Sequence, residues 1–388
     1  MHIALVTDGI WPYVLGGMQK HSYYLCKYLA QNKIKVDLYH FNQSHYDIKA
    51  MDFFTEEEKT YIRSIIVDLP KTHLFPGHYI YESYQYSKNV YQAIKGHLNS
   101  YDFIYSKGFA AWYLIEQKHA HKIKCAPIGV KFHGYEMFQK PPSFKSSIQN
   151  ALFLRYPVKK ISLHADVVFS YGAKINDIIL SLGVNPANMI EIPSGVEENF
   201  VSKDFMPSNE KIKVIYLGRY ERRKGIEELN QAIEKFTQHK KSSRLEFHFV
   251  GPIPEDKRII IESVVYHGEV RDKTLLQNIL RSADVLVCAS WSEGMPNVIL
   301  EGMASGLAII ATNVGASGIL VDHNNGWMIE HPEVDKLVDI FKYLQQMPLR
   351  ELDQKKAASL AKMHESFTWE KLIHRLIDAI KNTIETKH

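Results

Sequence analysis

Twice along this chain, short β-branched runs alternate with longer stretches whose apolar residues recur at helical spacing. The second series starts afresh at Ile212-Lys213-Val214-Ile215-Tyr216-Leu217-Gly218. Such alternation predicts βαβ units wound about parallel sheets, because two parallel neighbours need a crossover long enough to hold a helix. The expected fold class is therefore α/β. Strands are predicted at residues 2–7, 35–41, 103–105, 128–132 and 167–170 in the first series, with a helix over 18–32. The second series predicts strands at 212–218, 246–251, 284–289 and 308–312. Leu372, Ile373, Leu376, Ile377 and Ile380 share one face of a terminal helix over 369–384, which should dock on a core.

A chain of 388 residues exceeds what one core usually organises, so two domains are expected, with the turn-rich stretch 193–207 between the two series. A hydrophobic content of 45% and a charged content of 23% are those of globular proteins and exclude a mostly disordered chain. Charges break every apolar run well short of the ~18 residues of a membrane span. The first residues offer neither a basic leader nor a signal-peptide core, and Cys26, Cys125 and Cys288 lack disulfide-framework or metal-ligand spacing. The expected compartment is the cytoplasm, with no metal bound. Residues 1–195 carry 21 Lys and Arg against 15 Asp and Glu, and the remainder 26 against 28. A basic first half suits an anionic membrane surface or substrate, but it lacks the clustered stripe of a nucleic-acid binder.

The most informative stretch is Ala289-Ser290-Trp291-Ser292-Glu293-Gly294-Met295-Pro296-Asn297-Val298-Ile299-Leu300-Glu301, which follows an apolar strand. Pro296 suits a first helical turn, leaving the amides of Asn297, Val298 and Ile299 to hold phosphate at a strand's carboxyl end. Glu293 in the loop and Glu301 one turn along the helix suit a sugar phosphate ester; the same pattern also fits a helix-capping Glu293 and a solvated Glu301. Gly218-Arg219-Tyr220-Glu221-Arg222-Arg223-Lys224-Gly225 likewise follows a strand. There Arg219 and Lys224 offer two cations to one diphosphate, unless the run is simply a solvated face. Gly16-Gly17 precedes the first helix and permits close anion approach or merely shapes a turn, and His133 follows the strand at 128–132, a second carboxyl edge, although a lone histidine is usually structural. Tyr and Phe recur between Leu74 and Tyr91, and Lys159-Lys160 follows an apolar stretch around Leu152 to Tyr156. An acceptor pocket, a membrane-facing surface and ordinary core all fit these features.

In this order, these segments resemble the retaining, nucleotide-sugar-dependent glycosyltransferases of family 4, group 1, which have the GT-B fold. Glu293 to Glu301 matches that family's E-x7-E motif. Ile192-Pro193-Ser194-Gly195-Val196 resembles its hinge, with Ser194 in place of the usual asparagine, and Phe367-Thr368-Trp369 resembles the start of its final helix. The resemblance implies two Rossmann-like domains facing across a cleft: 1–195 on the acceptor side, a linker at 196–210, a donor domain at 211–367, and a C-terminal helix, about 368–388, crossing back. It implies that Arg219 and Lys224 bind the donor diphosphate, Glu301 the ribose, and Glu293 with Gly294, Met295, Asn297 and Val298 the donor sugar. Gly16 and Gly17 would close on the phosphates, His133 would contact the transferred sugar, and Val270 or Arg271 would read the base through the main chain. Catalysis would rest on Glu293, His133, Arg219 and Lys224, with a nucleotide-sugar donor, a saccharide or lipid-linked acceptor and no metal cofactor. A nucleotide-sugar 2-epimerase of the same fold and a catalytically inert partner or sugar-binding subunit are the alternative readings. One departure stands out: Gly315-Ala316-Ser317-Gly318-Ile319 lacks the Pro-Glu pair common in the family.

Overall fold

The computed structural model describes residues 1–14, 16–41, 51–72, 77–141, 153–238 and 243–387; Leu74 and Leu152 of the aromatic-rich segments lie outside them. All described strand pairs are parallel. The first sheet has seven strands: β1 (His2–Val6), β2 (Lys35–His40), β3 (Ile62–Ile66), β4 (Phe103–Lys107), β5 (Ile128–Lys131), β6 (Val167–Ser170) and β7 (Met189–Glu191), in the order β3-β2-β1-β4-β5-β6-β7. The second has six: β8 (Ile212–Leu217), β9 (Leu245–Val250), β10 (Val264–Gly268), β11 (Val285–Cys288), β12 (Ala308–Thr312) and β13 (Gly326–Ile329), in the order β10-β9-β8-β11-β12-β13. Each sheet reverses its winding once, between β1 and β4 and between β8 and β11. The crevice at such a reversal, off the carboxyl ends of the strands, is where open α/β sheets bind ligands.

The central strands are almost wholly buried, as parallel strands covered by helices on both faces require. Four strands escape the periodicity argument: β3, β7, β10 and β13, the two edges of each sheet. Their residues are mixed in exposure, so apolar and polar side chains follow no clean period.

The chain leaves the first sheet through Ser194 and returns to it at the end. Val196 and Trp369 exchange backbone bonds with Phe367 and Val196, at 3.0 and 2.9 Å. From there the helix Trp369–Lys387 buries Trp369, Ile373, Leu376 and Ile380 in the same cluster as Ile3, Leu5 and Leu25 of the first sheet's layer. Tyr28 stacks on Trp369 at 5.8 Å, and its hydroxyl donates to Glu370 Oε1 at 2.6 Å. The crossing helix therefore caps a core built mainly by the opening residues.

Candidate functional site

Glu293 is buried in the loop between β11 and the helix Asn297–Ala304. Its Oε1 accepts from Lys224 Nζ at 2.5 Å and from Ser290 Oγ at 2.7 Å, while Oε2 faces Arg223 at 3.7 Å. A buried carboxylate is tolerable only when paired in this way. Lys224 reaches it because Gly225, at φ 64°, presses the preceding turn onto the end of β11; a Cβ there would stand 1.7 Å from Ala289 O. Two sequence expectations change at this loop. Pro296 flanks the helix in an extended conformation instead of entering its first turn, and the Ile299 amide donates to Pro296 O at 2.9 Å. Only the amides of Asn297 and Val298 are left to face a ligand at that helix start. Arg219, on the loop after β8, does not join Lys224: it is 72% exposed and paired with Glu221 at 2.8 Å.

The first sheet's edge meets this loop directly. Gln139 Nε2 donates to Glu293 O at 2.6 Å, and the Glu293 amide donates back to Gln139 Oε1 at 3.2 Å. Gly294 packs on the His133 carbonyl so closely that a Cβ would lie 1.8 Å from the oxygen. A Cβ on Gly17 would lie 3.2 Å from His133 Nε2 and 3.4 Å from Asn297 Nδ2, so the glycine loop, the histidine and the helix start converge. Gly16 stands immediately before the helix Gly17–Gln31, and its carbonyl accepts from the Lys20 amide at 3.0 Å. His133 Nδ1 bonds the Tyr171 hydroxyl at 2.9 Å. Burial, reinforced by Lys107 and Lys131, holds its imidazole well below the usual range, so it is neutral at physiological pH.

Beside this junction lies a cavity lined by Gly17, Lys20, Glu197, Lys273, Asn297 and Glu301, among others. Burial pushes the Glu301 carboxyl up, and Lys20, whose Nζ is 3.9 Å away, and Lys273 pull it back. Met295 is buried beneath the loop, and Val298 packs partly buried against the core. Val270 also packs against that core, whereas Arg271 is 85% exposed and paired with Glu269 at 3.1 Å. On this side the cavity lining comes from Lys273 and Leu276 on the next helix. Sequence reasoning missed Lys273, Ser290 and Gln139. Ser290 was legible as the hydroxyl three residues before Glu293, but no local pattern marks Gln139, whose partner is 154 positions away.

The variant segment Gly315-Ala316-Ser317-Gly318 lies under the same loop. Ala316 donates its amide to Gly294 O at 2.8 Å, and Gly315, at φ 55°, approaches so near that a Cβ would stand 2.3 Å from Glu293 O. A larger residue there would displace the Glu293 main chain.

Residues 15–200 match the family described as Glycosyltransferase Family 4, and residues 211–346 match that described as Glycosyl transferases group 1. The chain belongs to this family of glycosyltransferases. It is similar to a Bacillus subtilis protein named as a teichuronic acid biosynthesis glycosyltransferase, with 31% identity over 134 residues, 34% of this chain and 33% of that one. The matches to the first curated relatives span between a third and a half of those proteins' length. Among solved structures, the fold of this chain is that of sucrose-phosphate synthase from Thermosynechococcus elongatus, with TM-score 0.74, 17% identity and 99% of each chain covered. Anabaena HepE, solved with UDP, superposes with TM-score 0.67 at 14% identity, covering 98% of this chain and all of the other. The family and these neighbours make the architecture GT-B, with the C-terminal helices contacting the first domain. None of the helices among the described residues is long and apolar enough to cross a membrane.

Proposed function

We propose that this glycosyltransferase moves a sugar from a nucleoside diphosphate, with UDP favoured and GDP the alternative, onto an acceptor hydroxyl with retention of anomeric configuration. The observation that carries this reading is the meeting of Gly17, His133 and Asn297 at one point beside the buried Glu293. Residues 211–367 hold the donor and residues 1–195 the acceptor. The ribose hydroxyls pair with Glu301, the main chain around Val270 and Arg271 reads the base, and Glu293 with Gly294, Met295 and the Asn297 and Val298 amides orients the sugar. UDP in the HepE structure supports the choice of base, and the teichuronic acid relative supports cell-surface polysaccharide or glycolipid assembly.

In the reaction, Lys224 and Arg219 leave their carboxylate partners for the diphosphate and take up the charge that develops as the glycosidic bond breaks. The departing phosphate oxygen accepts the proton of the incoming hydroxyl on the same sugar face. Glu293 positions the sugar and makes no covalent bond to it. Neutral His133 hydrogen-bonds the sugar without adding a cation that the developing oxocarbenium would repel. Closure across 196–210 excludes water, which would otherwise hydrolyse the donor.

The test is a thermal-shift panel of UDP, GDP and ADP with and without EDTA, since a ligand at a hundredfold excess over its Kd stabilises by about 2.7 kcal/mol. One nucleotide should raise Tm with EDTA present. Arg219→Ala combined with Lys224→Ala should lower its affinity on the order of a hundredfold, as the loss of charge-assisted bonds to phosphate implies. Unchanged nucleotide affinity in that double variant sinks the assignment. The basic excess of the first half further supports loose association with anionic lipid, which vesicle flotation insensitive to bilayer charge would refute.

A further inference from the structure

A second cavity opens in the first half, about 1510 Å³ of space with the open solvent at its mouth included. It reaches the transferase junction itself, because His133 and Gly134 form part of its wall and Gly294 packs on the other side of the His133 carbonyl. Its polar lining includes Asp8, Gln19, Glu82 and Glu136, and its apolar lining includes the rings of Tyr79, Phe109 and Phe132. No lysine or arginine lines it among the described residues.

The carboxylates are set for different tasks. Glu82 is occupied, accepting from the Thr72 amide and hydroxyl at 2.8 and 2.9 Å. Asp8 accepts from Gln19 Nε2 at 3.3 Å and also has its own backbone amide and the Thr7 hydroxyl as partners. Burial pushes its carboxyl up to about 6, against the pull of Lys107, which does not line the cavity and whose Nζ lies 3.1 Å from His21 Nδ1. Glu136 folds back over Gly134, where a Cβ would stand 2.4 Å from its Oε1. Burial raises its carboxyl too, and it sits within the electrostatic reach of Arg223, Glu293 and Lys224 at the donor side. Paired sugar hydroxyls satisfy such acceptors, and aromatic faces take the apolar side of a ring. A phosphate or uronate would instead meet several carboxylates with no cation in the described wall to offset them.

We propose that this cavity receives an uncharged sugar ring of the acceptor, with Asp8 and Glu136 accepting its hydroxyls, and that it excludes sugar phosphates and uronates. The proposal rests on the transferase reading above. Saturation-transfer difference NMR tests it on the full chain with UDP or GDP in the tube. The sugar panel comprises the methyl glycosides of glucose, galactose and N-acetylglucosamine, with glucose 6-phosphate and glucuronic acid as anionic counterparts. At least one neutral glycoside should give signal where its anionic counterpart gives none, and Asp8→Asn and Glu136→Gln should each weaken that signal about tenfold while the nucleotide signal persists. A stronger response from the anionic sugars, silence from every neutral one, or variants that bind as well as the parent overturns the cavity assignment. Absence of any nucleotide signal refutes instead the donor reading on which the proposal stands.

Discussion

On the second sheet's edge Lys224 and Arg223 face the buried Glu293 at 2.5 and 3.7 Å, whereas on the first sheet's edge Lys107 and Lys131 are wholly buried with no ion pair among the described residues. Lys131 donates to Ile192 O at 2.5 Å and lies over the Tyr171 ring, and Lys107 contacts His21. Burial drives both lysines toward the neutral form: Lys131 falls well below its ordinary range, helped by the neighbouring Lys107, and Lys107 falls to about 7 against the pull of Asp8. One edge thus holds its cations in ion pairs with a buried carboxylate. The other surrounds its histidine with polar groups that carry little net charge. The division fits the proposed function, in which the second half binds the anionic donor and the first half an acceptor that need not be charged.

The largest way to break that comparison is Glu293→Gln, which keeps the size of the side chain and removes the charge that sets Lys224 and Arg223. We expect sugar transfer to fall about 10²–10³-fold, the range seen on deleting a group that stabilises developing charge, with Tm moved only a few degrees. Transfer at parent level, measured as nucleotide release, would show that the ion pair is merely structural. Next in size is Gly294→Ala. Its Cβ would stand 1.8 Å from the His133 carbonyl, so the two edges cannot meet as they do here. Since a displacement of about 1 Å costs up to ~100-fold, kcat should fall by that order while nucleotide affinity, set within the second half, stays near parental. Equal losses in binding and turnover would mean that the two edges do not act as separate units.

How much of this was legible in the sequence follows from the same contrast. Every interior strand announces itself as a short apolar or alternating run rich in aliphatic and aromatic residues, and residues 293–301 can be read as a site because the acids, glycine and helix start are contiguous. The four edge strands were not legible, because an edge half-facing solvent needs no continuous apolar run: β3 reads Ile62-Arg63-Ser64-Ile65-Ile66, and β7 has only three residues. The first half's site is dispersed for a related reason. Asp8 follows β1, whereas His133, Glu136 and Gln139 all lie on the stretch after β5, and only the winding of the sheet brings Asp8 beside them. Lys107 and Lys131 end β4 and β5, positions from which a lysine usually reaches water, and nothing local in the sequence marks that both are covered.

The smallest effect, and the sharpest for the buried lysines, is a pH signature of Lys107→Met. A lysine whose folded value is about 7 against an ordinary 10.5 binds fewer protons folded than unfolded across that window. Its burial therefore costs most at and below pH 7, and the parent gains stability as pH rises toward 10, by at most about 1.4 kcal/mol per pH unit. Methionine carries no such charge, so the variant should be the more stable protein at pH 7, with the gap closing as the pH is raised. Asp8 works with the opposite sign: its raised carboxyl takes up a proton more readily folded than unfolded, so its own contribution improves as pH falls through about 6. Removing Lys107 withdraws the attraction that holds Asp8 down and shifts that contribution to higher pH. Denaturant unfolding of parent and variant from pH 5 to 10 separates the two terms, because they bend the stability difference at opposite ends of the range. Parallel curves would mean that Lys107 finds solvent or a counter-charge after all, and the first edge would then be as charged as the second.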